Sequence, residues 1–196
     1  MGKADFSYAG FIGGDENLDH AFLTGADVTI RIRLHSDVRD TVITVTAADP
    51  ATFKVSSFGR GTDRGEWQAV VHGVKPGSAK LDANGPDGKP LDTVSLSVSD
   101  PAKIITPGDV SISVGDTKRI ETHVEDKDGK TLHVGTTLEW TLDADVATFY
   151  SQLGQQSGVT SDVGTVLDMR GNRPGPTTLR GHVGSTHAEL NVTVNK

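Results

Sequence analysis

The chain has 196 residues, with 19 Lys and Arg against 26 Asp and Glu, a formal net charge of −7 and no Cys. Residues 1–100 hold 10 basic and 14 acidic side chains and residues 101–196 hold 9 and 12, so no basic stripe exists to track phosphates and no nucleic-acid partner is expected. The absence of Cys excludes thiol catalysis, zinc-ribbon sites and disulfide frameworks.

Along the chain, residues 1–17 contain Gly13-Gly14 and are expected to be a leader, either a tail or an extra edge strand. The opening Met1-Gly2-Lys3 reads as a start placed ahead of a mature segment, so any signal peptide or anchor is expected upstream. No apolar run approaches the roughly 18 residues of a membrane span, and direct membrane insertion is not expected. Next comes "VTIRIRL", which puts Val28, Ile30, Ile32 and Leu34 on one face and Thr29, Arg31 and Arg33 on the other. "VSLSV" at Val94–Val98, "VSISV" at Val110–Val114 and "ELNVTV" at Glu189–Val194 show the same period of two. That is the signature of half-buried strands. No segment holds a 3.6-residue period over three turns, so the chain is read as all-β.

The same features return in the same order. "GADVTIRI" leads one strand and "GDTKRIETHV" another; "TVTAADPATF" (Thr44–Phe53) is matched by "EWTLDADVATF" (Glu139–Phe149). Phe53 and Phe149 align at an offset of 96. "GVKPGSAKL" (Gly73–Leu81) and "GNRPGPTTL" (Gly171–Leu179) align at an offset of 98. In both, Pro76 or Pro174 pre-sets one turn position and Gly77 or Gly175 supplies the positive φ that a type II turn needs at the next. Each turn is read as leaving a strand that presents Trp67, Ala69 and Val71, or Val166, Asp168 and Arg170. The repeat predicts two tandem sandwiches, domain 1 over 18–99 and domain 2 over 100–196. The joint is "SDPAKIITPGD", stiffened by Pro101 and Pro107. The expected core is Trp140, Phe53, Phe149, Val28, Ile30, Ile32, Ile120, Val124, Leu138, Leu179 and Leu190.

These motifs are those of a family. "SISVGDTKRIETHVEDKDGKTLHVGTTLEWTLDADVATF" followed by "MRGNRPGPTTLRGHVGSTHAELNVTV" resembles bacterial Ig-like domains of the group 2 type, as in intimin- and invasin-like surface proteins. The first half keeps "GADVTIRI", "AADPATF" and "GVKPGSAKLDA", with Thr44–Thr46 where the family has its strand Trp. The resemblance implies two tandem immunoglobulin-like β-sandwiches without the antibody disulfide, Trp140 standing where that disulfide is packed upon. It also implies an extracellular or cell-surface bacterial module for adhesion, ligand presentation or spacing, part of a larger polypeptide or assembly. Virion structural domains of phages and polysaccharide-binding accessory domains of secreted enzymes share the fold and stay open as alternatives.

Chemistry is sparse. No Gly-x-Ser-x-Gly elbow, Walker loop or dinucleotide fingerprint is present, and no enzyme activity or cofactor is expected. His182 with His187, and His123 with His133, could approach each other, but neither pair has catalytic zinc spacing, so solvent-facing strand histidines and no metal are expected. "EDKDGK" (Glu125–Lys130) lacks the closing bidentate Glu of a calcium loop, and is read as a hairpin turn, as is "GPDGKP" (Gly85–Pro90). Asp143 and Asp145 fall in the family's acidic turn. The remaining candidates are two polar, Gly-rich stretches, Ser56–Glu66 and Tyr150–Gly164, read as loops over a rigid scaffold. There Phe58 and Tyr150 offer apolar area, while Arg60, Asp63, Arg64 and Gln152 offer polar contacts for a protein or glycan surface ligand.

Overall fold

A computed structural model describes residues 2–9, 15–135, 137–142, 146–150, 157–159 and 161–196; Asp143, Asp145 and Gln152 lie outside them. The chain divides into two units, Met1–Asp100 and Pro101–Lys196. Among the described residues there is no helix.

Unit 1 holds β1 (Ala4–Ala9), β2 (Asp15–Glu16), β3 (Ala21–Leu23), β4 (Asp27–Leu34), β5 (Thr44–Ala47), β6 (Phe53–Arg60), β7 (Glu66–Gly73), β8 (Gly77–Asn84) and β9 (Pro90–Ser99). One sheet runs β2-β1-β4-β7-β6, and the facing one contains β3-β9-β8-β5. That is the immunoglobulin order, strands ABED against GFC, with β3 running parallel to the last strand β9. The alternating strands explain the pairing of the layers. Val28, Ile30 and Ile32 of β4, Trp67, Ala69 and Val71 of β7, and Leu81, Ala83, Leu96 and Val98 of β8 and β9 form one buried cluster with Phe22 and Phe53. The Phe22 and Phe53 rings meet edge-on at 6.3 Å, a favoured aromatic geometry.

Strand β1 comes from the leader. It pairs antiparallel with β4 from Ala4↔Leu34 to Tyr8↔Ile30 and buries Ala4 and Tyr8. The Tyr8 hydroxyl donates to the His20 carbonyl at 2.9 Å. Burial, then the nearby Asp19 and Glu16 carboxylates, push this phenol above its ordinary value of 10.0. A raised folded-state pKa contributes stability that is intact below pH 10.0 and is lost as pH climbs through the raised value. The urea midpoint is therefore expected to fall as pH rises above 10.0. Tyr8→Phe should flatten that slope while costing about 1 kcal/mol at neutral pH for the lost hydrogen bond. Identical alkaline slopes in the two proteins would contradict this placement of Tyr8.

Unit 2 holds β10 (Lys103–Ile105), β11 (Val110–Ser113), β12 (Thr117–Glu121), β13 (His123–Glu125), β14 (Thr131–His133), β15 (Glu139–Leu142), β16 (Ala147–Tyr150), β17 (Ser157–Val159), β18 (Ser161–Val163), β19 (Val166–Gly171), β20 (Gly175–Val183) and β21 (Thr186–Asn195). The sheets run β11-β21-β20-β15-β18 and β12-β19-β16-β17, again GFC facing BED. Strand β11 lies parallel to the last strand β21, and β10 pairs antiparallel with β13, which continues from β12. Every residue expected in the core of either unit is buried, Trp140 and Leu179 completely so. "EDKDGK" closes the β13–β14 hairpin. Asp126 Oδ1 accepts from the Asp128 and Lys130 N–H groups at 2.9 and 3.0 Å, and Gly129 has φ +74°.

One set of backbone hydrogen bonds occurs in both units. In unit 1, Thr24 N–H donates to Ser99 O, Gly25 to Gly73 O, Ala26 to Leu23 O and Gly73 to Ala26 O, all at 2.8–3.2 Å. Val74 and Lys75 both donate to Thr52 O. In unit 2 the same pattern is Val114 to Asn195, Gly115 to Gly171, Asp116 to Ser113 and Gly171 to Asp116, at 2.9–3.1 Å. Asn172 and Arg173 both donate to Val146 O. Gly25 and Gly115 sit at φ +82° and +87°, a region where L side chains are strained. The strand that runs parallel to the last one, β3 in unit 1 and β11 in unit 2, is thus tied by backbone to that last strand and to the Pro-Gly turn.

Three sequence expectations need correction. The Phe53–Phe149 alignment is two residues out. Phe53 pairs with Gly73 and Val55 with Val71, whereas Ala147 pairs with Gly171 and Phe149 with Met169. Val55 is the counterpart of Phe149; a shift of two keeps the inward face, so the aromatic still reaches the core. On β19 the inward residues are Leu167, Met169 and Gly171, not 166, 168 and 170, because Val166 is exposed and Leu167 and Met169 are fully buried. Finally, Gly77 and Gly175 have φ +152° and +147°, positive but well beyond the value of a type II turn.

Candidate functional site

The stretch read as the Ser56–Glu66 loop is mostly strand. Strand β6 continues to Arg60 through a register shift between Val55 and Ser57, and β7 begins at Glu66, leaving only residues 61–65 as a turn. A bulge supplies the extra twist that lets a Ser- and Gly-rich segment stay paired. Phe58 therefore faces inward and stacks on Trp67, with centroids 5.2 Å apart and planes 7° apart. The Arg60 guanidinium lies 4.4 Å from the Trp67 ring centroid, a cation–π distance. Phe58 and Arg60 thus cover an indole that would otherwise reach solvent at the end of the sandwich.

Asp63 and Arg64 occupy the turn and are exposed. Arg64 grips Asp40 bidentately, Nε to Oδ1 at 3.0 Å and Nη2 to Oδ2 at 2.6 Å. That hydrogen bond, followed by the charge attraction, holds the Asp40 carboxyl below the usual carboxylate range and raises Arg64 in turn. On the outer face beside the turn sits Glu66, only 2% exposed. Its carboxylate lies 3.4 Å from Arg31 Nε and 3.7 Å from Arg33 Nε, and accepts from Gln68 Nε2 at 3.0 Å. Gly61 makes room for it: a Cβ there would stand 2.3 Å from Glu66 Oε1. Removing the carboxylate takes a charge partner from Arg31, itself nearly buried, so Glu66→Ala should cost about 2 kcal/mol in urea unfolding. A cost within error would mean that the cluster is decorative.

In unit 2, Tyr150 ends β16 and is exposed. Of the Tyr150–Gly164 stretch, Gln152 with the rest of 151–156 and residue 160 lie outside the described residues, and the described part is not a loop but carries β17 and β18, paired with β16 and β15. His182 and His187 face each other across β20 and β21, rings 6.1 Å apart, with His182 Nε2 3.5 Å from Glu139 Oε2. His123 instead meets Glu125 at 3.1 Å. Among the described residues no group of three His, Asp or Glu is arranged to hold a metal ion. A polar cleft of about 220 Å³ is lined by Ser111, Ser113, Asp116, Thr117, Lys118 and Asn195. Lys118 Nζ and Asn195 Nδ2 spend donors on Ser111 there, at 3.3 and 2.6 Å, which ties its walls together and presents no nucleophile–base pair.

No protein-family model matches the chain, and no curated protein does. Solved structures with similarity include domains 4 and 5 of the S-layer protein SbsC, at 18% identity and TM-score 0.40, over 84% of this chain and 82% of that one. The Escherichia coli adhesin FdeC matches at 15% identity and TM-score 0.38, over 98% of this chain and 64% of that one. The Yersinia pseudotuberculosis adhesin InvE matches at 17% identity and TM-score 0.37, over 98% and 59%. This chain spans less than two thirds of either adhesin structure.

Sequence reasoning missed Glu66 and its arginines. The alternation of β4 marked Arg31 and Arg33 as outward-facing, but nothing in a single sequence says that a Glu on the neighbouring strand will be buried beneath them. The residues it brought forward do not converge in unit 1 on one open pocket: Phe58 and Arg60 serve Trp67, and Arg64 serves Asp40.

Proposed function

We propose that this chain is a non-catalytic module of a bacterial surface or secreted protein, built from two copies of a bacterial Ig-like domain and acting in adhesion, ligand presentation or spacing. One observation supports the reading above all: the same set of backbone ties fastens β3 or β11, the last strand and the Pro-Gly turn in both units. Rigid, terminus-locked sandwiches joined through Asp100-Pro101 suit display at a distance. Arg60, Arg64 and Glu66 near the unit 1 turn are engaged in packing and ion pairs instead of being poised as acid, base or nucleophile. A ligand contact of unit 1 would use the exposed Asp63–Arg64 turn, with a protein or glycan as partner. Protease treatment of intact source cells, followed by detection with an antibody to this chain, tests the location. Cleavage before lysis is expected; full protection until lysis would contradict it.

A further inference from the structure

We infer that each unit is a mechanical clamp, so that the chain is built to bear tension applied through its ends. This deepens the spacing role proposed above and rests on it only for where the tension would come from. In unit 2, β11 runs parallel to β21 with four register pairs, Val110↔Val192 to Ser113↔Asn195. A pull from the N-terminal side meets the three-pair β10–β13 contact first and beyond it reaches β11 at Val110, while a pull from the C-terminal side reaches β21 at Asn195. In a parallel pair these points lie at opposite ends of the ribbon. Force then runs along the strands and loads all the bonds together.

The ribbon is locked where shear would slide it. Val114 N–H adds a bond to Asn195 O at 3.0 Å, and Gly115 N–H fastens the same corner to Gly171 O at 2.9 Å. Sliding is also blocked by packing, since Val110, Ile112, Val192 and Val194 are all buried. Unit 1 repeats the device with a shorter pair, Phe22↔Val98 and Leu23↔Ser99, closed by Thr24 N–H to Ser99 O at 3.0 Å. Unit 2 carries the longer clamp.

Rupture under force is governed by the unfolding barrier along the pulling direction, not by equilibrium stability. The same bonds should therefore be strong in one direction and weak in another. Because the chain has no Cys, engineered pairs give unambiguous handles. In the intact chain, Pro107→Cys with Lys196→Cys loads β11 against β21 lengthwise. Asp116→Cys with Lys196→Cys grips both strands at one end and peels the bonds singly. All three positions are exposed, and thermal melts of both variants check that stability is equal. Single-molecule pulling at one speed should give a rupture force about two- to fourfold higher in the lengthwise geometry, since peeling never loads the four register pairs together. Equal forces, or a stronger peeling geometry, would overturn the clamp. The surface location is tested separately by protease accessibility, so either reading can fail without the other.

Discussion

Trp140→Ala is expected to cost about 3–5 kcal/mol, the range for emptying a packed aromatic site. Trp140 is fully buried and donates from Nε1 to Gly164 O at 2.9 Å. Its ring lies across the neighbouring strand over Gly181, its register partner. A Cβ at Gly181 would stand 2.5 Å from the indole Cζ3, so the glycine is a seat for the ring. Unit 1 solves the same position differently: Val45 pairs with Ala83, a smaller residue opposite a larger one, and Trp67 comes from the facing sheet. The effect should appear in urea unfolding, and a cost below about 1 kcal/mol would show that the site collapses freely around the deletion.

Gly171→Ala is expected to cost about 3 kcal/mol, the upper part of the overpacking range. A Cβ there would stand 2.6 Å from the Ser113 carbonyl oxygen and 2.9 Å from Val194 Cγ1. Its counterpart Gly73 meets the Leu23 carbonyl at 2.5 Å, so Gly73→Ala should lose a similar amount in unit 1. Backbone cannot step aside as a flexible side chain can, because the obstructing carbonyls belong to the strands paired with β9 and β21. Gly59, with nothing within 4 Å of its would-be Cβ, is the control, and Gly59→Ala should change stability by less than about 0.5 kcal/mol. Equal costs at all three glycines would mean that strand propensity, not close approach, sets the effect.

Alternation made the long strands legible because their side chains face water on one side and a core on the other. Val28–Leu34 and Leu190–Val194 needed nothing more. The short strands were harder. β1 has no long counterpart in unit 2, where β10 spans only Lys103–Ile105, so the internal repeat gave no warning of it. β6 beyond Val55 carries Ser, Ser and Gly, residues of low strand propensity, and is held by pairing with β7 instead. The register of β19 was misjudged because Val166, the most β-prone residue of the segment, is one of the exposed ones. Of the candidate site, the residue types were legible and their uses were not. Phe58 and Arg60 look available in a loop and are committed to Trp67 once β6 forms.

Hydrogen exchange followed by NMR on the intact chain tests most directly the claim that one sandwich plan is used twice. The amides of Thr24, Gly25 and Gly73, and their counterparts Val114, Gly115 and Gly171, all donate to backbone carbonyls at 2.8–3.1 Å. Both trios should be among the slowly exchanging amides, opening only with their own unit. Protection of one trio with rapid exchange in the other would contradict the account, since the second set of ties would then be absent in solution.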